Sequence, residues 1–344
     1  MRVLLIKMSS LGDVIHALPA VSDAHAQGIR FDWVVEEAFA TVPARHPGVE
    51  NVLPIAWRRW RTDLFANRFE LSTFVKKLRS ERYDLVLDAQ GLLKSGAILA
   101  LSRGTLKAGF SRRTAREGAT AVFYQRRISV ALGQHAIDRQ RQLFAGALGY
   151  VLPHTEKLDY GIVRDVSPSR TCVLLHGTTW SSKQWPESMW MELARLASGA
   201  GYRVALPWGD EVERARAERI AKATEAEVWD RVPLAELANR LEKAELAIGV
   251  DSGLAHLCAA LNVPTLVMYG STDSALTGCR GAKVAIAQVN FPCAPCLQRT
   301  CGYRGKPQYW REQVISPACY SKLAPEGIWQ LAQETFDADR VLPV

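Results

Sequence analysis

Short apolar runs of four or five residues recur through this chain. Each is closed by a polar or glycine-bearing turn, most lead into a helical stretch, and the cycle restarts in the second half. Val3-Leu4-Leu5-Ile6 is the first run, closed by Ser9-Ser10-Leu11-Gly12-Asp13, and Phe31 to Val35 and Leu85 to Asp88 follow it. Runs this short, apolar on both faces, suit strands of a parallel sheet covered on both sides. Helices are expected over Phe69 to Leu78 and Leu92 to Leu101, and Pro19 either kinks the first helix or begins its second segment. From Cys172 the cycle starts again, with strands expected at Cys172 to His176, Val204 to Leu206, Leu246 to Val250 and Thr265 to Tyr269. The helix opening at Pro186 and ending near Gly199 and Gly201 has proline early and glycine late, the usual asymmetry. Another is expected from Leu254 to about Leu261. Strand and helix alternating in this way predict doubly wound α/β units. A chain of 344 residues exceeds the size at which one core stops growing, about 250–300. The pattern breaks between Tyr160 and Arg170, so two Rossmann-like domains are expected, 1–165 and 166–344.

Charge is distributed unevenly between the halves. Residues 1–167 hold 24 Lys/Arg against 16 Asp/Glu, and the remainder 19 against 19, so the whole net charge of +8 lies in the first half. A basic half can face nucleic acid, anionic lipid or a phosphorylated substrate; the lack of zinc-finger, helix-turn-helix or RNP signatures argues against nucleic acid. The opening apolar run stops at Lys7, too short for the ~7–15-residue core of a signal peptide. Nor does any apolar stretch approach the ~18 residues of a membrane span. A chain neither exported nor membrane-spanning is expected.

In open α/β sheets ligands bind outside the carboxyl ends of strands, which directs attention to Ser9–Asp13, Gly177–Lys183, Pro207–Glu213 and Asp251–His256. None is a G-x-G-x-x-G or Walker A loop, which argues against a dinucleotide dehydrogenase and a P-loop ATPase. Asp13 is either a helix-capping carboxylate or a general base at a strand end. Asp251-Ser252-Gly253 opens a helix straight after a strand, where free N–H groups and the dipole attract phosphate; the plainer reading is a cap with a core His256. Lys183 is a loop lysine that either neutralises a departing diphosphate or is simply solvated. Arg58-Arg59-Trp60-Arg61 is a solvated face or an arginine grip on phosphate and carboxylate. Cys293, Cys296, Cys301 and Cys319 are candidate ligands of a structural zinc, with free or redox-active thiols as the other reading. Cys172 and Cys258 read as core.

These motifs, taken in order, resemble the lipopolysaccharide heptosyltransferases. Residues 1–16 resemble the family's opening, and Phe31 to Glu37, the Arg58–Arg61 cluster and Asp88-Ala89-Gln90-Gly91-Leu92-Leu93-Lys94-Ser95 look particularly like the heptosyltransferase I branch. His176-Gly177-Thr178-Thr179, Lys183-x-Trp185-Pro186, Leu206-Pro207-Trp208-Gly209 and Asp251-Ser252-Gly253-Leu254-Ala255-His256 continue the likeness to about residue 275. The cysteine segment departs from it, being more like the tail of heptosyltransferase II. The resemblance implies a GT-B architecture, two Rossmann-like domains facing a central cleft, with the acceptor domain first and the donor domain second. It implies an inverting transferase that moves L-glycero-D-manno-heptose from ADP-heptose to a Kdo residue of Kdo2-lipid A, without a catalytic metal, on the cytoplasmic face of the inner membrane. Asp13 would be its base. Thr178, Thr179, Lys183, Glu213, Asp251, Ser252, Gly253 and His256 would bind the donor, and Arg58, Arg59, Arg61 and Arg116 the acceptor. An anionic membrane surface would be a further partner. The competing expectations are a later-heptose transferase, a nucleotide-sugar epimerase of the same architecture, and a non-catalytic nucleotide-binding module.

Overall fold

The computed structural model describes residues 1–153 and 158–336. The chain forms two compact units, Met1–Val163 and Arg164 onward.

Among the described residues, the first unit holds β1 (Arg2–Ile6), β2 (Arg30–Glu36), β3 (Val49–Ile55), β4 (Tyr83–Asp88), β5 (Gly104–Phe110) and β6 (Arg126–Ile128). They form one parallel sheet in the order β3-β2-β1-β4-β5-β6. Leu5 lies opposite Trp33 on one side and Leu87 on the other. Val3 to Ile6 are fully buried because helices cover both faces. Those helices are α1 (Leu11–Ile15), α2 (Leu18–His25), α3 (Trp57–Trp60), α4 (Arg68–Leu78), α5 (Leu93–Leu101) and α6 (Ala136–Leu148). Pro19 stands in the first turn of α2, where its missing N–H costs nothing, so it begins a second segment rather than kinking one.

The second unit repeats the plan with β7 (Ser169–Leu175), β8 (Arg203–Leu206), β9 (Glu227–Val228), β10 (Ala244–Val250), β11 (Thr265–Tyr269) and β12 (Val284–Gln288), again parallel, in the order β12-β11-β10-β7-β8-β9. Its helices are α7 (Glu187–Gly199), α8 (Glu211–Lys222), α9 (Leu234–Glu242), α10 (Gly253–Ala260), α11 (Ser274–Thr277) and α12 (Pro325–Phe336). Its core packs Trp185 edge-on to Trp190 with Leu174, Leu206, Ile248 and Met268.

Both sheets follow the doubly wound order 3-2-1-4-5-6, counted from the first strand of each unit. The expected α/β class is therefore what the chain adopts. The expectation missed β3, β5, β6, β9 and β12. Four of these are sheet edges, where one flank meets solvent and no continuous apolar run is required. β3 even carries Pro54, which an edge strand tolerates. Among the described residues no helix is long and apolar enough to cross a membrane.

Candidate functional site

In a doubly wound sheet the connections reverse direction beside the first strand, and the diverging loops leave a crevice at the carboxyl ends. In the first unit the reversal lies between β1 and β4, whose following loops carry Asp13 and Lys94. In the second it lies between β7 and β10, whose loops carry Lys183 and Asp251.

Asp13 occupies the third position of α1, not its cap. Its Oδ2 accepts from the Ser10 N–H at 2.9 Å and the Ser10 hydroxyl at 2.8 Å, half of a capping box. Oδ1 stays open, 3.8 Å from the Lys7 ammonium, and the side chain is 35% exposed, so a substrate can reach it. Burial pushes this carboxyl up, but Lys7, the Ser10 donors and His16 outweigh it and hold it at about 2. Lys7 is buried, donates to the Ala89 carbonyl at 3.1 Å, and is lowered by that burial. Asp88, at the end of β4, accepts from Gln90 N–H, Gly91 N–H, the Ser95 hydroxyl and the Tyr124 hydroxyl. It shapes the loop rather than facing a ligand. Burial raises its carboxyl.

A basic group gathers at this point. Lys94 reaches the Ser9 hydroxyl at 3.5 Å, and its ammonium is lowered first by burial and then by Arg58, Arg61 and Arg116. Arg58, Arg61 and Arg116 thus act electrostatically on one lysine, with Glu36 opposing them. Arg59 does not join them: it makes a two-pronged pair with Glu70 at 2.8 and 3.0 Å and a longer contact with Glu37 at 3.5 Å. Single-residue reasoning did not select Lys7 or Lys94. Lys94 was already visible inside the Asp88–Ser95 motif, and its position after β4 is the signal that would have singled it out.

The second unit presents a denser cluster. Lys183 Nζ lies 2.6 Å from Asp251 Oδ2, which also accepts from the Thr272 hydroxyl at 2.7 Å. Asp251 Oδ1 faces His256 Nε2 at 3.6 Å. Thr178 donates to the Asp251 carbonyl at 3.2 Å. Burial would raise Asp251, but His256 and Lys183 prevail and hold it far below the usual carboxylate range. His256 is pushed the other way, up to about 10: burial opposes its charge, while Cys279 and Asp251 favour it and win. Lys183, Asp251 and His256 thus gather at the start of α10. There Ser252 caps the helix by accepting from Ala255 N–H, and Gly253 begins it. His256 is buried and stands behind Asp251 rather than at the surface. Thr179 is exposed at the rim.

Glu213 belongs to the same end of the sheet. Its carboxylate accepts from Gly209 N–H at 2.8 Å and lies so close to Gly177 that a Cβ there would displace it. Burial raises this carboxyl, and the Gly209 N–H opposes the rise.

The four later cysteines share one cavity of about 210 Å³ with Ser182, Ser271 and Tyr303. All seven cysteines are unbridged. Among the described residues no three His, Cys, Asp or Glu side chains are placed to hold a metal ion, so the zinc expectation finds no ligand geometry here. The segment instead backs the Lys183 loop. Ser182 N–H donates to the Arg299 carbonyl at 3.2 Å, Leu297 N–H to the Ser271 carbonyl at 2.7 Å, and the Tyr320 hydroxyl to the Lys183 carbonyl at 2.9 Å.

Two Rossmann-like units with these sites define a glycosyltransferase of the GT-B type. The sequence pattern of glycosyltransferase family 9 (heptosyltransferase) matches residues 71–306, and the chain belongs to that family. Lipopolysaccharide heptosyltransferase 1 of Pseudomonas aeruginosa is 47% identical, over 95% of this chain and 96% of its own. The E. coli heptosyltransferase WaaC with ADP superposes with a TM-score of 0.84 at 38% identity, covering 97% of this chain and all of the other. The same enzyme with ADP-2-deoxy-2-fluoro heptose gives 0.81 at 37% identity, covering 97% and 99%.

Proposed function

We propose that this protein transfers L-glycero-D-manno-heptose from ADP-heptose to a Kdo residue of Kdo2-lipid A, inverting the anomeric carbon, in assembly of the lipopolysaccharide inner core. The observation that carries the reading is the Lys183–Asp251–His256 cluster at the start of α10, where a lysine ammonium and free helix N–H groups suit a nucleotide diphosphate. The similar proteins bound to ADP and to an ADP-heptose analogue support the choice of nucleotide sugar.

In the displacement, an acceptor hydroxyl attacks the anomeric carbon while the bond to the diphosphate oxygen breaks. Asp13 Oδ1 takes the hydroxyl proton. A carboxylate this acidic suffices because the hydroxyl becomes strongly acidic as its new bond forms. The leaving ADP gains negative charge, which Lys183 and the free N–H groups of α10 stabilise. Ammonium groups have three donors, so Lys183 can hold Asp251 and a phosphate together. Glu213, between Gly177 and Gly209, is suited to accept from ribose hydroxyls. Lys94, Arg58, Arg61 and Arg116 meet the carboxylates and phosphates of the acceptor; side-chain cations, with no catalytic metal, supply the charge in this scheme.

The acceptor is lipid-borne, and the first unit has a surface suited to a bilayer. Leu64, Phe65 and Phe69 are exposed, with the Arg68 guanidinium over the two phenylalanine rings at 4.4 and 4.5 Å. Apolar rings beside a cation favour an anionic interface. This supports a peripheral position on the cytoplasmic face of the inner membrane.

The test is ADP release from ADP-heptose with and without Kdo2-lipid A. Release that depends on the acceptor, with heptose added to Kdo, is the expected result. Release only with an already heptosylated core would assign a later heptose. Donor turnover without any acceptor would point to an epimerase, and binding without turnover to a nucleotide-binding module.

A further inference from the structure

Behind the donor cluster lies a residue outside every motif considered so far. Cys279 follows α11, is buried, and donates its N–H to the Tyr269 hydroxyl at the end of β11 at 2.8 Å. That bond fixes the backbone at Cys279 and aims its sulfur at His256, with Sγ 3.3 Å from Nδ1. His256 therefore has a partner on each ring nitrogen, Cys279 on one side and Asp251 on the other. An imidazole held at both nitrogens cannot turn without losing both contacts. Asp251 Oδ1 then stays directed at the ring, and Oδ2 at Lys183 and Thr272.

We propose that Cys279 is a positioning residue for the diphosphate end of the donor site: its sulfur holds His256, His256 holds Asp251, and Asp251 holds Lys183 at the start of α10. The inference rests on the donor-site reading above. Cys279 touches no substrate and acts only through the chain of contacts. Asp251 and Cys279 both act on His256, with Lys183 one contact further through Asp251 and Tyr269 one further through Cys279. Both favour the imidazolium, and loss of the His256 proton would remove one positive charge from the cluster.

The experiment measures ADP affinity by calorimetry between pH 6 and 9.5 for wild type, Cys279→Ala and Cys279→Ser. Alanine removes the contact to Nδ1, so His256 should lose its proton at a lower pH. We expect near-normal affinity at pH 6, a loss of about twofold relative to wild type at pH 9 and about threefold at pH 9.5, and an alkaline limb displaced downward by about one pH unit. Serine, which can hydrogen-bond the ring, should recover part of the loss. A merely structural role would weaken binding equally at every pH, so parallel profiles, or identical ones, would overturn the proposal. A ligand-free NMR titration of His256 runs alongside, in wild type and the serine variant, so that misfolding of the alanine variant leaves a decisive result. A ring titrating near 6.5 in the wild type would overturn the proposal. A raised value that drops in the serine variant would support it. Failure of the wild type to bind ADP would remove the donor-site reading instead, with the NMR arm still deciding the Cys279 contact.

Discussion

Replacing Asp251 with Asn tests the donor cluster, because it keeps the shape and removes the central charge. Asp251 and Lys183 are 8% and 15% exposed in their side chains, so the pair is mostly withdrawn from water. Removing one partner of a fully buried pair costs about 3–5 kcal/mol, chiefly through the charge left behind. Lys183 retains some solvent, which places its share near the lower end. His256 adds a pH dependence. It holds its proton up to about 10 against an ordinary 6.5, equivalent to about 5 kcal/mol at 1.36 kcal/mol per factor of ten in proton affinity. That stabilisation is complete below pH 6.5 and is lost as pH rises through 10. Asp251 supplies part of it beside Cys279, a part present at pH 6 and reduced at pH 9. The Asn variant should thus be destabilised by about 3–5 kcal/mol at pH 6 and visibly less at pH 9. Urea melts at the two pH values measure this, the relevant transition being the one that ADP moves to higher urea in wild type. An equal loss at both pH values, or a larger one at pH 9, would refute the electrostatic reasoning.

Asp13→Asn should lower kcat by about 10²–10⁴ while ADP affinity stays within about twofold, as expected for a base used only in the chemical step; near-normal kcat would remove that role. Since Asp13 is held at about 2, the wild-type rate should show no acid limb from this group above about pH 4. Arg61→Ala should raise acceptor KM about tenfold and Arg59→Ala by much less, because Glu70 already engages Arg59; equal effects would contradict the placement of the basic group. His46 and His176 are both lowered to about 4, first by burial, so the unfolded chain gains protons between pH 6.5 and 4 that the folded chain refuses. Stability should fall over that window by up to about 3 kcal/mol for each, and a flat melting temperature between pH 7 and 4.5 would count against it. Chelator-free protein should contain well under one zinc per chain, by elemental analysis, given the placement of Cys293, Cys296, Cys301 and Cys319.

Much of this was legible in one dimension. Val3–Ile6, Leu246–Val250 and Thr265–Tyr269 are central strands covered on both faces, and such strands must be apolar at every position. Their loops follow from the same logic, so Asp13, Lys183 and Asp251 could be selected before any coordinates. Edge strands could not, since Glu50, Asn51 and Pro54 in β3 satisfy an edge as well as they would a loop.

By itself the sequence determined the alternation of elements, the restart of the cycle, and the loops able to carry chemistry, because local periodicity and turn residues act over a few positions. Which side chains share a charge was decided by the tertiary structure alone. Arg59 and Arg61 are two residues apart, yet one pairs with Glu70 and the other acts electrostatically on Lys94. Lys183, Asp251, Thr272 and Cys279 come from the three connections after β7, β10 and β11, which only the order of the second sheet brings together. The fate of a charge depends on distances of a few ångströms across the fold, and no spacing along the chain encodes them.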